Sequence, residues 1–372
     1  MQLPALQTAL QTSPRSFLGG LRGLLPGIVL AALLAMLSLL LADSLSAMAS
    51  EFGPLPVSPI VVAIVLGIAI RNGMGLDAAF QPGLIFSQCR ILQLGIVLLG
   101  IRLSLGEFAI IGLSSIPLII VCIGSALLMI GFLARRLGIS PQLGTLIAAG
   151  TSICGATAIV TTAPIVGARS HEVSYAIACI TLFGIAATLA YPTLAYWVFD
   201  GDAHRVGMFL GTAVHDTAQV VGAGMIYENI YGTEQALDTA TITKLVRNLS
   251  MLIVIPLLSI RFQRAHHAGG TRPHWTKLVP LFIVGFAFMS LLRTVGDLGA
   301  TPFGILAADQ WATAVSTMKS GAEFSLLIAM AAVGLNTKLA GLTSIGLRPL
   351  GLGMIAAATV GLLSGTLITL FY

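Results

Sequence analysis

Charge is what this sequence has least of. Only 9% of its 372 residues are Asp, Glu, Lys or Arg, against about 25% in an ordinary soluble domain. A soluble fold of this length would need a charged surface, so that class is excluded. Cysteine is also scarce. Cys89, Cys122, Cys154 and Cys179 stand apart, with no CxxC pair and no histidine at ligand spacing, so neither a disulfide scaffold nor a metal centre is expected. They read as small packing residues, with Cys154 set apart by its neighbours. There is no Walker A motif, no HExxH and no facing histidine pair for haem. The chain is therefore not expected to be an enzyme, to carry a cofactor or to use ATP. Its basic residues lie in short loops rather than in a patch, which argues against a nucleic-acid partner. No soluble domain, linker or low-complexity tract is present.

What the sequence does have is hydrocarbon. Apolar residues make up 56% of it and its mean hydropathy is +0.97, so its environment is the lipid bilayer. Apolar runs long enough to span fall at about 24–42, 57–71, 88–105, 108–133, 141–167, 173–199, 205–227, 239–261, 276–293, 311–337 and 345–371. The fold class expected is an all-α polytopic membrane protein with about eleven transmembrane helices.

The positive-inside rule orients the set. With the N-terminus inside, the cytoplasmic loops hold Arg15, Arg22, Arg71, Arg90, Arg135, Arg136, Arg205, Arg261, Arg264, Arg272, Lys277, Lys338 and Arg348. The outer loops hold Arg102, Arg169 and Arg293. Thirteen against three places the N-terminus on the cytoplasmic side and, with eleven crossings, the C-terminus outside. The first apolar run, followed by Ser-Ala-Met-Ala-Ser at 46–50, imitates a signal peptide. It is long for one and reads as a retained helix. His266, His267 and His274 in the 261–277 loop read as part of a solvated basic loop.

Some polar residues sit where only hydrocarbon should be. A charge at the middle of a spanning helix costs about 2.5–3.5 kcal/mol on insertion scales and is usually there for function. Gly150-Thr151-Ser152-Ile153-Cys154-Gly155-Ala156-Thr157 is rich in glycine and hydroxyls, between Pro141 and Pro164. Glycine weakens a helix interior, and an unwound helix here would free N–H groups able to bind an anion. Thr151, Ser152 and Thr157 would add hydroxyls; close packing of small residues is the bland alternative. His215, Asp216 and Gln219 share a broad helix face, where His215 and Asp216 suit coupling or gating and the alternative is a satisfied polar patch. Lys244, Arg247 and Asn248 share another face. A fixed cation there would attract a dianion, and arginine's fork matches oxyanions; a permanent Asp216–Arg247 staple is the alternative. Lys319 and Glu323, four apart, read as a self-paired couple with a place in coupling or gating.

Two internal echoes are present. Residues 99–113 resemble 333–347, through Gly100/Gly334, Leu105/Leu339, Gly112/Gly346 and Leu113/Leu347. Residues 150–160, GTSICGATAIV, resemble 211–221, GTAVHDTAQVV. With eleven crossings the first pair runs in opposite directions and the second pair runs parallel, so the two do not fit one simple repeat.

GIVLLGIRLSL at 95–105, GTSICGATAIVTTAPIV at 150–166, GTAVHDTAQVVGAG at 211–224 and KLVRN at 244–248 resemble the YeiH-type family of bacterial inner-membrane proteins, labelled sulfate exporters, over nearly the whole chain. The resemblance implies an outline similar to the cation–proton antiporter and anion transporter superfamily. That outline has inverted repeats of five helices with crossed broken helices, here 57–199 and 205–371 after an extra N-terminal helix and loop at 1–56, all in one transporter domain. The expected function is a secondary transporter exporting a small oxyanion or sulfonate, its gradient carried by H+ or Na+, in a chain compatible with a homodimer. Substrate binding falls to Thr151, Ser152, Cys154, Gly155, Thr157, Gln219, Lys244, Arg247 and Asn248. Coupling falls to His215, Asp216, Lys319 and Glu323. No adjacent mid-helix acidic pair is present, which weighs against the alternative, a cation antiporter centred on Asp216.

Overall fold

The computed structural model describes residues 17–49, 57–266, 280–298, 302–304, 307–338 and 347–372. Among them the secondary structure is helical, without strands. The sequence readings at Arg15, His267, Arg272, His274 and Lys277, and at 50 in the signal-like segment, lie outside the described residues. Among the described residues, seven helices are long and apolar enough to cross a membrane. The shorter apolar helices include Pro59–Gly73 and Leu281–Gly296. The chain is an all-α polytopic membrane protein.

Two compact units divide it. The first contains α1 (Phe17–Ala49), α2 (Pro59–Gly73), α3 (Ala78–Arg102), most of α12 (Leu281–Gly296) and α13 (Ala308–Asn336). Helix α3 winds through a π turn at Ser87–Ile91 and ends in a 3-10 turn at Gly100–Arg102. A half-buried polar strap fastens this unit. Arg71 Nη2 donates to Gln81 Oε1 (3.3 Å), Gln81 Nε2 to Asn336 Oδ1 (2.6 Å), and Asn336 Nδ2 to Gln88 Oε1 (3.0 Å). The first echo aligns Arg102 with Asn336, and each ends its helix.

The second unit contains nearly all of α4 (Leu105–Arg136), then α5 (Pro141–Ser152), α6 (Ala156–Val166), α7 (Ser170–Val198), α8 (Ala203–Ala213), most of α9 (Thr217–Tyr231), α10 (Gln235–Leu249), α11 (Met251–His266) and α14 (Leu347–Phe371). Its helix breaks differ from the expectation of through-going crossing helices. The segment at 141–167 turns back on itself. Ser140, which caps α5 by accepting from Leu143 N, also donates to Glu172 Oε1 at 2.5 Å. Glu172 lies in the first turn of α7, just past the end of α6, and its other oxygen accepts from Arg169 N at 2.9 Å. The start of α5 and the end of α6 are therefore neighbours, and α5–α6 is a helical hairpin. Its limbs of 12 and 11 residues reach about 18 Å at 1.5 Å per residue, too short to cross about 30 Å of hydrocarbon.

The segment at 205–227 does the same. Tyr227 near the end of α9 donates to Gly201 O, just before α8, at 3.1 Å, and its ring lies 6.4 Å from that of Tyr196. So α8–α9 is a second hairpin, rooted at the far end of α7, whereas α5–α6 is rooted at its start. The two hairpins enter from opposite ends of α7 and meet tip to tip between them.

The hairpin bases give a direct check. With Ser140 and Glu172 replaced by cysteine in a background lacking the four native thiols, a short bifunctional reagent is expected to cross-link the pair. Proteolysis between them would then leave one band under non-reducing conditions. A through-going helix would hold the two residues a membrane apart and give no cross-link.

Candidate functional site

The tips are built from four helix ends. Helix α5 stops at Ser152, Ile153 leaves helical geometry (φ −118°, ψ −90°), and Gly155 sits at φ 65°, ψ −123° before α6 begins. Only glycine holds that backbone readily. The other tip breaks at Val214, which is extended (φ −82°, ψ 138°). The second echo is in register with both breaks: Ser152 and Ala213 are the last residues of α5 and α8, and Ala156 and Thr217 are the first of α6 and α9. It marks equivalent hairpin tips.

Irregular backbone is tolerated at membrane depth only where protein or a cavity satisfies its polar groups. The last carbonyls of a helix have no intrahelical partner and carry the negative end of its dipole. Here α10 supplies two cations for them. Lys244 Nζ donates to Ile153 O (3.1 Å), Val214 O (3.0 Å) and His215 O (2.5 Å). Arg247 donates through Nε to Ser152 O (2.8 Å), through Nη1 to Thr212 O (2.6 Å) and Val214 O (3.4 Å), and through Nη2 to Thr151 O. Both side chains are buried, Lys244 at 0% and Arg247 at 1% exposure. A Lys ammonium has three donors, and all three are taken.

The N-terminal ends carry the opposite charge. Asp216 Oδ1 accepts from Ala218 N at 2.9 Å in the first turn of α9, and its other oxygen lies against Gly155, just before α6, 3.0 Å from where a Cβ would stand. Gln219 Oε1 accepts from Asp216 N at 3.3 Å, and Gln219 Nε2 donates to Thr181 O on α7 at 3.2 Å. Asp216-x-x-Gln219 is thus a capping box, a signal in the sequence that could have located this break. Among the described residues, neither Lys244 nor Arg247 forms an ion pair with Asp216. The Asp216–Arg247 staple is replaced by helix-end capping of both signs.

The remaining proposed residues fall in different places. Asn248 Nδ2 donates to Thr217 Oγ1 at 3.1 Å, and its Oδ1 is buried without a partner. Thr217 was missed from sequence. His215 is 1% exposed and its Nδ1 has no hydrogen-bond partner. Thr157 is exposed on α6. Thr151 and Ser152 are buried, Ser152 bonding back to Ala148 O at 2.6 Å, and Cys154 Sγ lies 3.4 Å from Met251 Sδ. Helix α8 packs closely on α10 at Gly211, where a Cβ would meet that of Thr243 at 2.6 Å. Lys319 and Glu323 are in the first unit. Glu323 lies 3.7 Å from Arg102, and Lys319 lines a cavity of about 430 Å³ with Arg293, Asp297 and Trp311. The hairpin-tip cluster belongs to the second unit.

Paired hairpins with capped tips inside apolar helices define a polytopic membrane protein with a polar centre. The comparisons with known proteins say which kind. Residues 26–353 match the family described as conserved hypothetical protein 698, and the chain belongs to that YeiH-type family. It is 33% identical over 321 residues to the UPF0324 membrane protein FN0533 of Fusobacterium nucleatum subsp. nucleatum, covering 84% of this chain and 91% of that one. It is 33% identical over 344 residues to the UPF0324 membrane protein SAG1125 of Streptococcus agalactiae serotype V (91% and 94%). It is 34% identical over 342 residues to spyM18_1033 of Streptococcus pyogenes serotype M18 (91% and 95%). No solved structure matches.

Proposed function

We propose that the protein is a secondary transporter for a small oxyanion or sulfonate, working as an exporter driven by an ion gradient in the bacterial inner membrane. The observation that carries this is the charge at the hairpin tips. Two C-terminal and two N-terminal helix ends offset each other, while Lys244 and Arg247 against Asp216 leave one positive charge buried at membrane depth. Discontinuous helices with their ends at midplane are the usual construction of carrier sites. Lys244 has no donor to spare, so it draws an anion by its field. Direct contacts would come from Thr157, Thr217, the Asn248 amide and the N–H groups of α6 and α9.

The hairpins also bear on the sequence signals. Replacing two crossings by hairpins moves Arg169 to the inner set and Arg205 to the outer, so the bias remains thirteen to three with the N-terminus inside. The second echo then pairs oppositely directed hairpins, as an inverted-repeat carrier would have, while the order of the two echoes along the chain still does not fit one simple repeat.

One observation favours a second reading, a sodium- or proton-coupled antiporter centred on Asp216: the unpartnered Asn248 Oδ1 beside Thr217 is a free acceptor. Currents from proteoliposomes offered sulfate, sulfite, thiosulfate, taurine or sodium separate the two. The expected result is a saturable anion response in the native protein that Asp216→Asn alters in its coupling. A response to sodium or pH alone would sink the oxyanion reading. Unimpaired anion flux in Asp216→Asn with coupling intact would remove Asp216 from the mechanism.

A further inference from the structure

The surroundings of Lys244 Nζ are those of a bound ion. Its three partners are backbone carbonyls, contributed by both tips: Ile153 from one hairpin, Val214 and His215 from the other, all within 3.1 Å. The side chain is fully buried, and among the described residues it forms no ion pair with a carboxylate. Carbonyl oxygens gathered from unwound backbone and helix C-termini are what carriers use to hold sodium and what channels use to replace the hydration shell of potassium. An ammonium group is a monovalent cation of the same class, and here it is tethered to α10.

We infer that this carbonyl nest is a monovalent-cation site permanently filled by the protein's own Lys244, so the tips assemble without a free coupling cation. Several features fit together. The nest joins the two tips, so whatever fills it holds them in contact. Arg247, one turn further along α10, secures the carbonyls immediately before each break, at Thr151, Ser152 and Thr212. That leaves only the outermost carbonyls for Lys244. Val214 O is shared by both cations, which fixes the register of α10 against the tips. A free ion would have to enter and leave as the tips part, whereas a tethered one stays. The consequence for transport, which rests on the carrier reading above, is that sodium is not the coupling ion at this junction.

The test uses the purified full-length chain in detergent, read by thermal unfolding, so it does not depend on knowing the substrate. Native protein is expected to show the same midpoint in sodium, potassium, ammonium and choline chlorides at equal ionic strength. Lys244→Ala is expected to unfold at a lower midpoint. Ammonium, methylammonium, potassium or sodium should restore at least half of the loss, with choline, too large for the nest, restoring none. A variant insensitive to all of these cations would overturn the proposal, as would a native protein stabilised by sodium over choline. The native arm decides even where Lys244→Ala cannot be recovered folded. Cation rescue without any anion flux would keep the nest and discard the oxyanion carrier.

Discussion

Arg247→Gln is expected to abolish transport and to lower stability more than any other single change at the tips. Arginine here closes four bonds to carbonyls at the ends of two different hairpins. Glutamine is shorter, has one planar amide and carries no charge, so it leaves most of those acceptors unpaired at membrane depth. Each buried carbonyl left without a donor costs about 1–3 kcal/mol, so losing several at once takes a large share of a typical folding free energy. Arg247→Lys separates two contributions. It keeps the charge but loses the fork that reaches both tips, so it should recover anion attraction in part and stability little. The measurement is the unfolding midpoint of each variant beside anion flux normalised to folded protein. Native stability in Arg247→Gln with only the anion response lost would mean that the guanidinium serves the substrate and not the tips.

Gly155→Ala is the second change with a large expected effect. At φ 65° and ψ −123° a side chain is strained, at about 1–3 kcal/mol. The added Cβ would also lie 3.0 Å from Asp216 Oδ2 and 3.3 Å from Asp216 Cβ. The two tips touch at this point, so the methyl group displaces Asp216 by a few tenths of an ångström from its place at the helix N-terminal ends. Transport should fall at least about tenfold, corresponding to roughly 1.4 kcal/mol in the rate-limiting barrier. Gly167→Ala is the matched control. That glycine also has positive φ, at 63°, but nothing lies within 4 Å of its would-be Cβ. It should cost about 1 kcal/mol of stability and leave flux nearly unchanged. Equal flux losses in both variants would show that backbone strain, and not contact with Asp216, is responsible.

The importance of residues 150–157, 215–219 and 244–248 was legible because polar groups in hydrocarbon stand out against everything around them. Their division of labour was not. From spacing alone, Lys244 and Arg247 are two cations on one helix face, equally suited to a substrate or to Asp216. What they bind are carbonyls from residues 151–153 and 212–215, about 30 to 100 positions away in the chain, and hydrophobic periodicity carries no trace of such a pairing. Lys319 and Glu323 show what spacing leaves out. Their spacing implies a couple on one helix face, to which the fold adds Arg102, 3.7 Å from Glu323 and more than two hundred residues earlier in the chain.

The sequence by itself determined that the chain is helical and lives in a bilayer, where its apolar runs lie, and which residues are too polar to be there by chance. These are consequences of composition and local pattern, which each segment carries independently of the rest. Only the tertiary structure decided that 141–167 and 205–227 turn back instead of crossing. A run of about 25 apolar residues satisfies the bilayer equally well as one spanning helix or as two shorter limbs. The choice between them falls to whether its middle carbonyls and N–H groups can be satisfied, and the groups that satisfy them, Lys244, Arg247 and Asp216, come from elsewhere in the fold.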